Sequence, residues 1–534
     1  MVCLLSIQAG SSESQLRCAE VPLGELRPHP FTAFVNEVVR QSWDYRHVAF
    51  AAREGDRMVV YVDGERSREY DSAGAVLFGP AAERPTYVAS RSNKWFVVSQ
   101  NREQKAYDSI GSRDEAWQRV WPFVQSPNGK RLAYVAVQGE KERVVVDGNE
   151  DALYDEIKTG LPVFSPDSKH LAYTARRRDK AVIVVDSKEV AQVDEVITAK
   201  PWPSMVGLWF SPNGKRLAYT VKISGKWFVF VDGIKSPAWD EISDGFGHGF
   251  PEGDFAGIRF SADSKHYVYE AKRNGAYSII VDGVEKAQGE LVGCLLFSPD
   301  SRRTAYVQLL KEGNSEQWKT FVVLDGVMDK PFDGSVEKMF FNPDSKRLFY
   351  LAREGHMVEQ GKESLVVNGV PDREYDAFHF GYQFPVFSPD GRGFAYIGER
   401  GGENFLVLDG REQIQIQNAE VNDFVFSPDG KHWAAFLMAD GEIYAVVDGR
   451  RIGPYGKDNA TWSKQIVFSP DSRHYAFQAY RGSWQGCLVV DGAEQKINAE
   501  WLIGSQLIFD SPTRLHGLIM RGDQLLRLEA AISR

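Results

Sequence analysis

Apolar and polar positions along this chain follow one pattern that is copied again and again. A block such as Val163-Phe164-Ser165-Pro166-Asp167-Ser168-Lys169-His170-Leu171-Ala172-Tyr173 recurs roughly every 40 residues, twelve times in all. Its core, Phe-Ser-Pro-Asp/Asn-Gly/Ser, is a turn: Pro presets φ, Asp or Asn closes a local hydrogen bond, and Gly tolerates positive φ. A run such as Leu132-Ala133-Tyr134-Val135-Ala136 follows, then a charged loop, then a β-branched run ending in Asp-Gly, as in Val144-Val145-Val146-Asp147-Gly148. Asp-Gly after a strand is a strong hairpin signal. Several copies close with Tyr-Asp or a relative, as at Tyr154-Asp155, Trp239-Asp240 and Tyr375-Asp376. Each unit therefore predicts four short strands joined by tight turns.

The faces of these strands predict how the units pack. An antiparallel sheet with one wet face alternates apolar and polar residues. Val144, Val145 and Val146, or Val182 to Val185, put apolar atoms on both faces. Sheets covered on both sides are sheets stacked between neighbours, which is the packing of propeller blades. The Phe-Ser-Pro-Asp-Gly/Ser-Lys/Arg-x-Leu-Ala-Tyr block resembles the TolB-type, WD-like bacterial propeller repeat, over about Ser42 to Leu528. That resemblance implies the fold and leaves the function open, because the family uses the scaffold for different binding roles. The expected fold is all-β: a β-propeller of about twelve four-stranded blades over residues 42–534. Residues 1–41 form an N-terminal segment, of which Cys3 to Gln8 are read as a strand completing the last blade. Rings of about four to eight blades are typical, which suggests two tandem six-bladed rings. Between the sixth and seventh repeats there is no linker, however, and joining the chain ends favours a single closed ring.

Composition narrows the functional classes. Of 534 residues, 63 are basic and 73 acidic, a net charge of −10 without a basic run. Such a chain has no electrostatic footprint for nucleic acid. No apolar stretch reaches the roughly 20 residues of a membrane-spanning helix. The four cysteines lack a Cys-x-x-Cys pair, so neither a disulfide scaffold nor a zinc site is expected. With no basic n-region at the start, a cytoplasmic location is favoured over a periplasmic form lacking its leader.

The repeated polar residues are the first candidates for chemistry. His170, His266, His432 and His474 share a slot that holds Arg131, Arg216 and Arg347 in other repeats, which marks it as solvent-facing and not metal-binding. The Asp-Gly aspartates sit in turns that need them, and no loop gathers several carboxylates for calcium. There is no Gly-x-Ser-x-Gly elbow and no phosphate-cradling loop. No catalytic residue, metal ligand or cofactor is nominated. What stands out is the aromatic content of the segments read as crossings between blades, expected on one face with the loops between second and third strands. Aromatic enrichment marks protein interfaces. The reading is thus a non-catalytic propeller binding a protein or peptide partner through Trp121, Trp202, Phe250, Phe380 and Tyr382. Two alternatives stand beside it. One is a carbohydrate-binding or carbohydrate-processing propeller using the same aromatics, with Asp155, Asp240 and Asp376 as acid/base candidates. The other is a purely structural propeller.

Overall fold

The computed structural model describes residues 15–25, 39–80, 83–111, 122–157, 162–196, 207–242, 257–289, 291–311, 318–354, 361–378, 385–416, 420–439, 442–455, 465–481, 485–502 and 504–533. Among these, all regular structure is β-strand, arranged in twelve antiparallel sheets that we call blades 1 to 12 in chain order. The fold is a β-propeller. The chain divides into two compact units, Val88–Glu374 and Met1–Tyr87 with Tyr375–Arg534.

Two turns recur from blade to blade, and both use side chains to finish backbone bonding. In the Ser-Pro-Asp turn of blade 4, the Ser165 hydroxyl donates to Asp167 at 2.6 Å and accepts the His170 N–H at 2.9 Å. The same pair recurs at Ser211, Ser261, Ser298, Ser388, Ser427 and Ser469. A buried hydroxyl without partners would be costly, so this serine and its carboxylate form one device. In the Asp-Gly turn the aspartate takes φ of about 47–55° and the glycine is also left-handed, as at Asp147 (51°) and Gly148 (83°). A two-residue turn with positive φ at both positions matches the twist of the strands it joins. The Asp carboxylate then reaches across the sheet to accept the N–H that opens the second strand, Leu132 at 2.9 Å and Leu171 at 3.0 Å.

Burial follows the prediction of two covered faces. Val144, Val145 and Val146 are 0, 0 and 8% exposed. Ala133, Val135, Val144 and Val146 of blade 3 pack with Ile157, Tyr173, Val182 and Val184 of blade 4. The other face of blade 4, through Ala172, Ala181 and Ile183, packs on Tyr219 and Val221 of blade 5. The series continues through blades 6, 7 and 8. In the other unit, blade 10 packs on 11, 11 on 12, and 12 on blade 1. Burying a large apolar side chain contributes about 1.5–3 kcal/mol, and the repeat is held together chiefly by such contacts. Fourth strands are the wet edges: Asn149–Glu150, Ile234–Lys235 and Val327–Met328 are exposed throughout.

The chain ends meet in blade 12. Strand Gln15–Glu25 pairs antiparallel along nearly its whole length with Gln524–Ser533, Leu16 opposite Ile532 and Cys18 opposite Ala530. This is the joining of the ends that the single-ring reading requires. The strand that does it is Gln15–Glu25, whereas Cys3 to Gln8 lie outside the described residues.

Candidate functional site

The first strand of the blade carries an irregularity at a constant level. In blade 4 it comes in two halves, Glu156–Ile157 and Val163–Phe164, both paired with the same second strand: Ile157 faces Ala175 and Val163 faces Ala172. Blade 3 breaks between Ile110 and Phe123, opposite Ala136 and Tyr134. Blades 5, 6 and 9 break at the equivalent place, between Val196 and Leu208, Ile242 and Arg259, and Phe378 and Val386. Where the first strand is continuous, in blades 7, 8 and 10, the register shifts there instead, between Gly293 and Leu296, Val336 and Lys338, and Asn422 and Val425. The blade therefore has a built-in bulge, and six blades place an intervening segment at it; in blade 12 Trp501 faces Ile519 and Ile508 faces His516, with Leu502 and Leu507 buried between them. Bulges are where sheets re-aim side chains, often beside functional sites.

This corrects the sequence reading in one respect. The aromatic segments are not crossings between blades; they interrupt the first strand of a blade after that strand has begun to pair. Trp121, Trp202 and Phe250 fall between the half-strands of blades 3, 5 and 6, and Phe380 and Tyr382 between those of blade 9. All five lie outside the described residues. Their flanks are in place: Phe123 and Leu208 are 3 and 4% exposed, and Phe378 is 4% exposed against Tyr375.

The carboxylates considered for acid/base work have structural partners. Asp155 accepts from the Lys141 ammonium and from the Arg178 N–H, in the second-to-third-strand turn of the next blade. Asp108, Asp194 and Asp240 repeat this with Lys94, Lys180 and Lys226, and with the N–H groups of Gly139 (2.7 Å), Ser224 (2.7 Å) and Asn274 (2.8 Å). Asp376 accepts the Gly401 N–H at 2.7 Å. The lysine first, and then the backbone N–H, hold the carboxyls of Asp155, Asp194 and Asp240 below the usual aspartate range. A general acid needs the opposite shift. Asp108, Asp155, Asp194 and Asp240 pin one sheet to the next, whereas the Asp376 bond stays within blade 9.

The aromatic residue before Asp108, Asp155, Asp240 and Asp376 completes the joint, a place that Val193 takes before Asp194. Tyr154, 2% exposed, lies edge-on to Tyr173 of blade 4 at 6.2 Å between centroids. Its hydroxyl donates to Glu189 at 3.0 Å, and Arg177 covers its ring at 5.0 Å. Tyr107 on Tyr134, Trp239 on Tyr269 and Tyr375 on Tyr396 are set the same way. Edge-on aromatic pairs add about 0.5–1.5 kcal/mol beyond burial.

The histidine slot is solvent-facing, and its ring has a fixed partner that sequence reasoning missed. His170, His266 and His432 bring Nδ1 to 2.7 Å from Asp186, Asp282 and Asp448, each an aspartate at a turn between third and fourth strands. Arg131 and Arg216 do the same through Nε, at 2.8 and 2.7 Å from Asp147 and Asp232. Arginine also extends to the next blade, where Arg131 Nη1 donates to the Lys169 carbonyl at 2.6 Å. The signal for this role was the spacing of 16 residues between the slot and the turn aspartate in these five repeats.

No known protein family matches the sequence, and no curated protein is similar to it. Among solved structures it is similar to the eukaryotic initiation factor, at 12% identity and a TM-score of 0.34, over 69% of this chain and 95% of that one. It is similar to TolB from Acinetobacter baumannii at 16% identity and a TM-score of 0.21, over 46% of this chain and 64% of that one. It is also similar to the β-propeller domain of the Trilobed protease from Pyrococcus furiosus, at 14% identity and a TM-score of 0.25, over 54% of this chain and 96% of that domain. Identities this low concern the fold alone. They do not separate a binding protein from part of an enzyme.

Proposed function

We propose that this propeller is a non-catalytic scaffold of TolB-like type that binds a protein or peptide partner through the segments interrupting its first strands. The observation behind the reading is the constant level of the break, repeated in the consecutive blades 3, 4, 5 and 6 of one unit. Three of these segments carry Trp121, Trp202 and Phe250. Tryptophan and phenylalanine supply large apolar area with few rotors, which suits them as anchors. The carbohydrate-processing alternative loses support because Asp155 and Asp240 are engaged in joining blades and Asp376 in holding a turn of its own blade.

The test is selection from a displayed peptide library on the purified chain, followed by affinity measurement on the Trp202→Ala/Phe250→Ala double variant. The wild type is expected to enrich a consensus peptide. The variant is expected to bind it at least about tenfold more weakly, the effect of losing a hot-spot aromatic, with its melting temperature within a few degrees. Equal affinity in the variant would remove the proposal. Saturable binding of a defined glycan instead of peptide would move the assignment to the carbohydrate reading.

A further inference from the structure

Blade 12 differs from the others in its outer strands. Gln524–Ser533 and Gln15–Glu25 run ten and eleven residues, whereas the fourth strand of blade 1, whose core packs on them, is only Glu65–Arg66. One face of the long strands, through Leu16, Leu515, Ala530 and Ile532, is buried against blade 11. On the opposite face, Arg17 stands across from Ala531, and Ala531 stands across from Arg514. Directly opposed residues share a face, so two exposed arginines flank one alanine. Their Cα atoms are two strand spacings apart, about 9–10 Å.

A cleft of about 540 Å³ opens over this row. Arg46, from the first turn of blade 1, is its one described lining residue from outside blade 12. The other charges around the cleft have partners. Arg46 pairs with Asp510, Asp510 also holds His516 at 2.9 Å, and Glu529 holds Arg527 at 2.9 Å. Arg17 and Arg514 have neither an ion pair nor a side-chain hydrogen bond among the described residues. Two positive charges thus face one cavity across a side chain that ends at Cβ. Guanidinium groups present forked donors matched to phosphate and carboxylate oxygens, and their separation lets both converge on one small group.

We propose that this cleft binds a dianionic oxyanion, either a phosphate group or a paired carboxylate, between Arg17 and Arg514. The site is independent of the aromatic segments and of any peptide bound there. It is tested by titrating the full chain with inorganic phosphate, and separately with succinate, in chloride-balanced Tris, by calorimetry and thermal melting. Saturable binding of phosphate assigns the phosphate class, and of succinate the dicarboxylate class; either supports the site. The Arg17→Ala/Arg514→Ala variant is expected to bind at least tenfold more weakly while melting where the wild type does in anion-free buffer. Both substituted side chains face away from the blade 11 core, so folding is a separate and readable quantity. No saturable binding of either anion would overturn the proposal, as would binding undiminished in the double variant.

Discussion

At the scale of single residues, the polar side chains of this repeat finish the backbone. Asp263 and Asp429 show it most clearly: the hydroxyls of Ser261 and Ser427, and then the N–H groups of Lys265 and Lys431, pull their carboxyls down to about 2. An unfolded aspartate titrates at about 3.9. The folded value is the lower one, so the stability these groups contribute is complete above about pH 4 and is lost as pH falls through about 2. Urea denaturation between pH 5 and 1.5 should therefore show a midpoint that declines below about pH 4, with a shallower decline in Ser261→Ala/Ser427→Ala. The same steepness in wild type and variant would contradict the assignment. The turn was legible in the sequence because Ser, Pro and Asp are the residues such turns require. The reach of its members into the neighbouring blade was not. Ser168 accepts the Asn128 N–H at 3.0 Å and Ser264 the Asn213 N–H at 2.9 Å, contacts across 40 and 51 residues that no local pattern encodes.

At the scale of strands, the blade reads well where one residue type does one job and poorly where two strands share a position. Valine runs and Asp-Gly turns marked the third strand in nearly every copy. The break in the first strand escaped notice because its half-strands are two or three residues long, too short for a period to register. A trace was there: isolated apolar residues such as Ile157 and Ile242 precede the gap, and the pair before Ser-Pro follows it. Gly398 illustrates how closely the second strand is fitted to the aromatic joint. A Cβ added there would come 2.4 Å from the ring of Tyr375, which is fully buried. Gly398→Ala is therefore expected to destabilise by about 1–3 kcal/mol, the range for overpacking a core, measured as a shift in the urea midpoint at unchanged slope. An unchanged midpoint would mean that the ring moves aside freely.

At the scale of the whole molecule, the buried clusters within each unit join a sheet to its sequence neighbours, and blade 12, which the chain ends complete, to blade 1. The arginine cleft of blade 12 depends on the pairing of the chain ends, since residues 17, 514 and 531 become adjacent only when the sheet is complete. For the same reason nothing in the linear sequence pointed to it. The pairing also makes a prediction: deleting Gln15–Glu25 strips the outer strand from blade 12, removes the buried Leu16 and Leu23, and uncovers the side chains clustered with them, such as Leu528, Ile532 and Leu525. Such a variant should melt many degrees lower and expose the Gln524–Ser533 edge, and added peptide of sequence 15–25 should restore part of the loss. A truncated chain that melts with the wild type would show that the ends are not what holds blade 12. There is a temporal side to this arrangement. Strand Gln15–Glu25 is made early, yet its partner emerges some 500 residues later. At about 5–20 residues per second of synthesis, that is a delay on the order of half a minute or longer. Throughout it, one strand with apolar residues such as Leu16 and Leu23 waits with no ladder to join, and the nascent chain has reason to need a holding chaperone until Gln524–Ser533 has emerged.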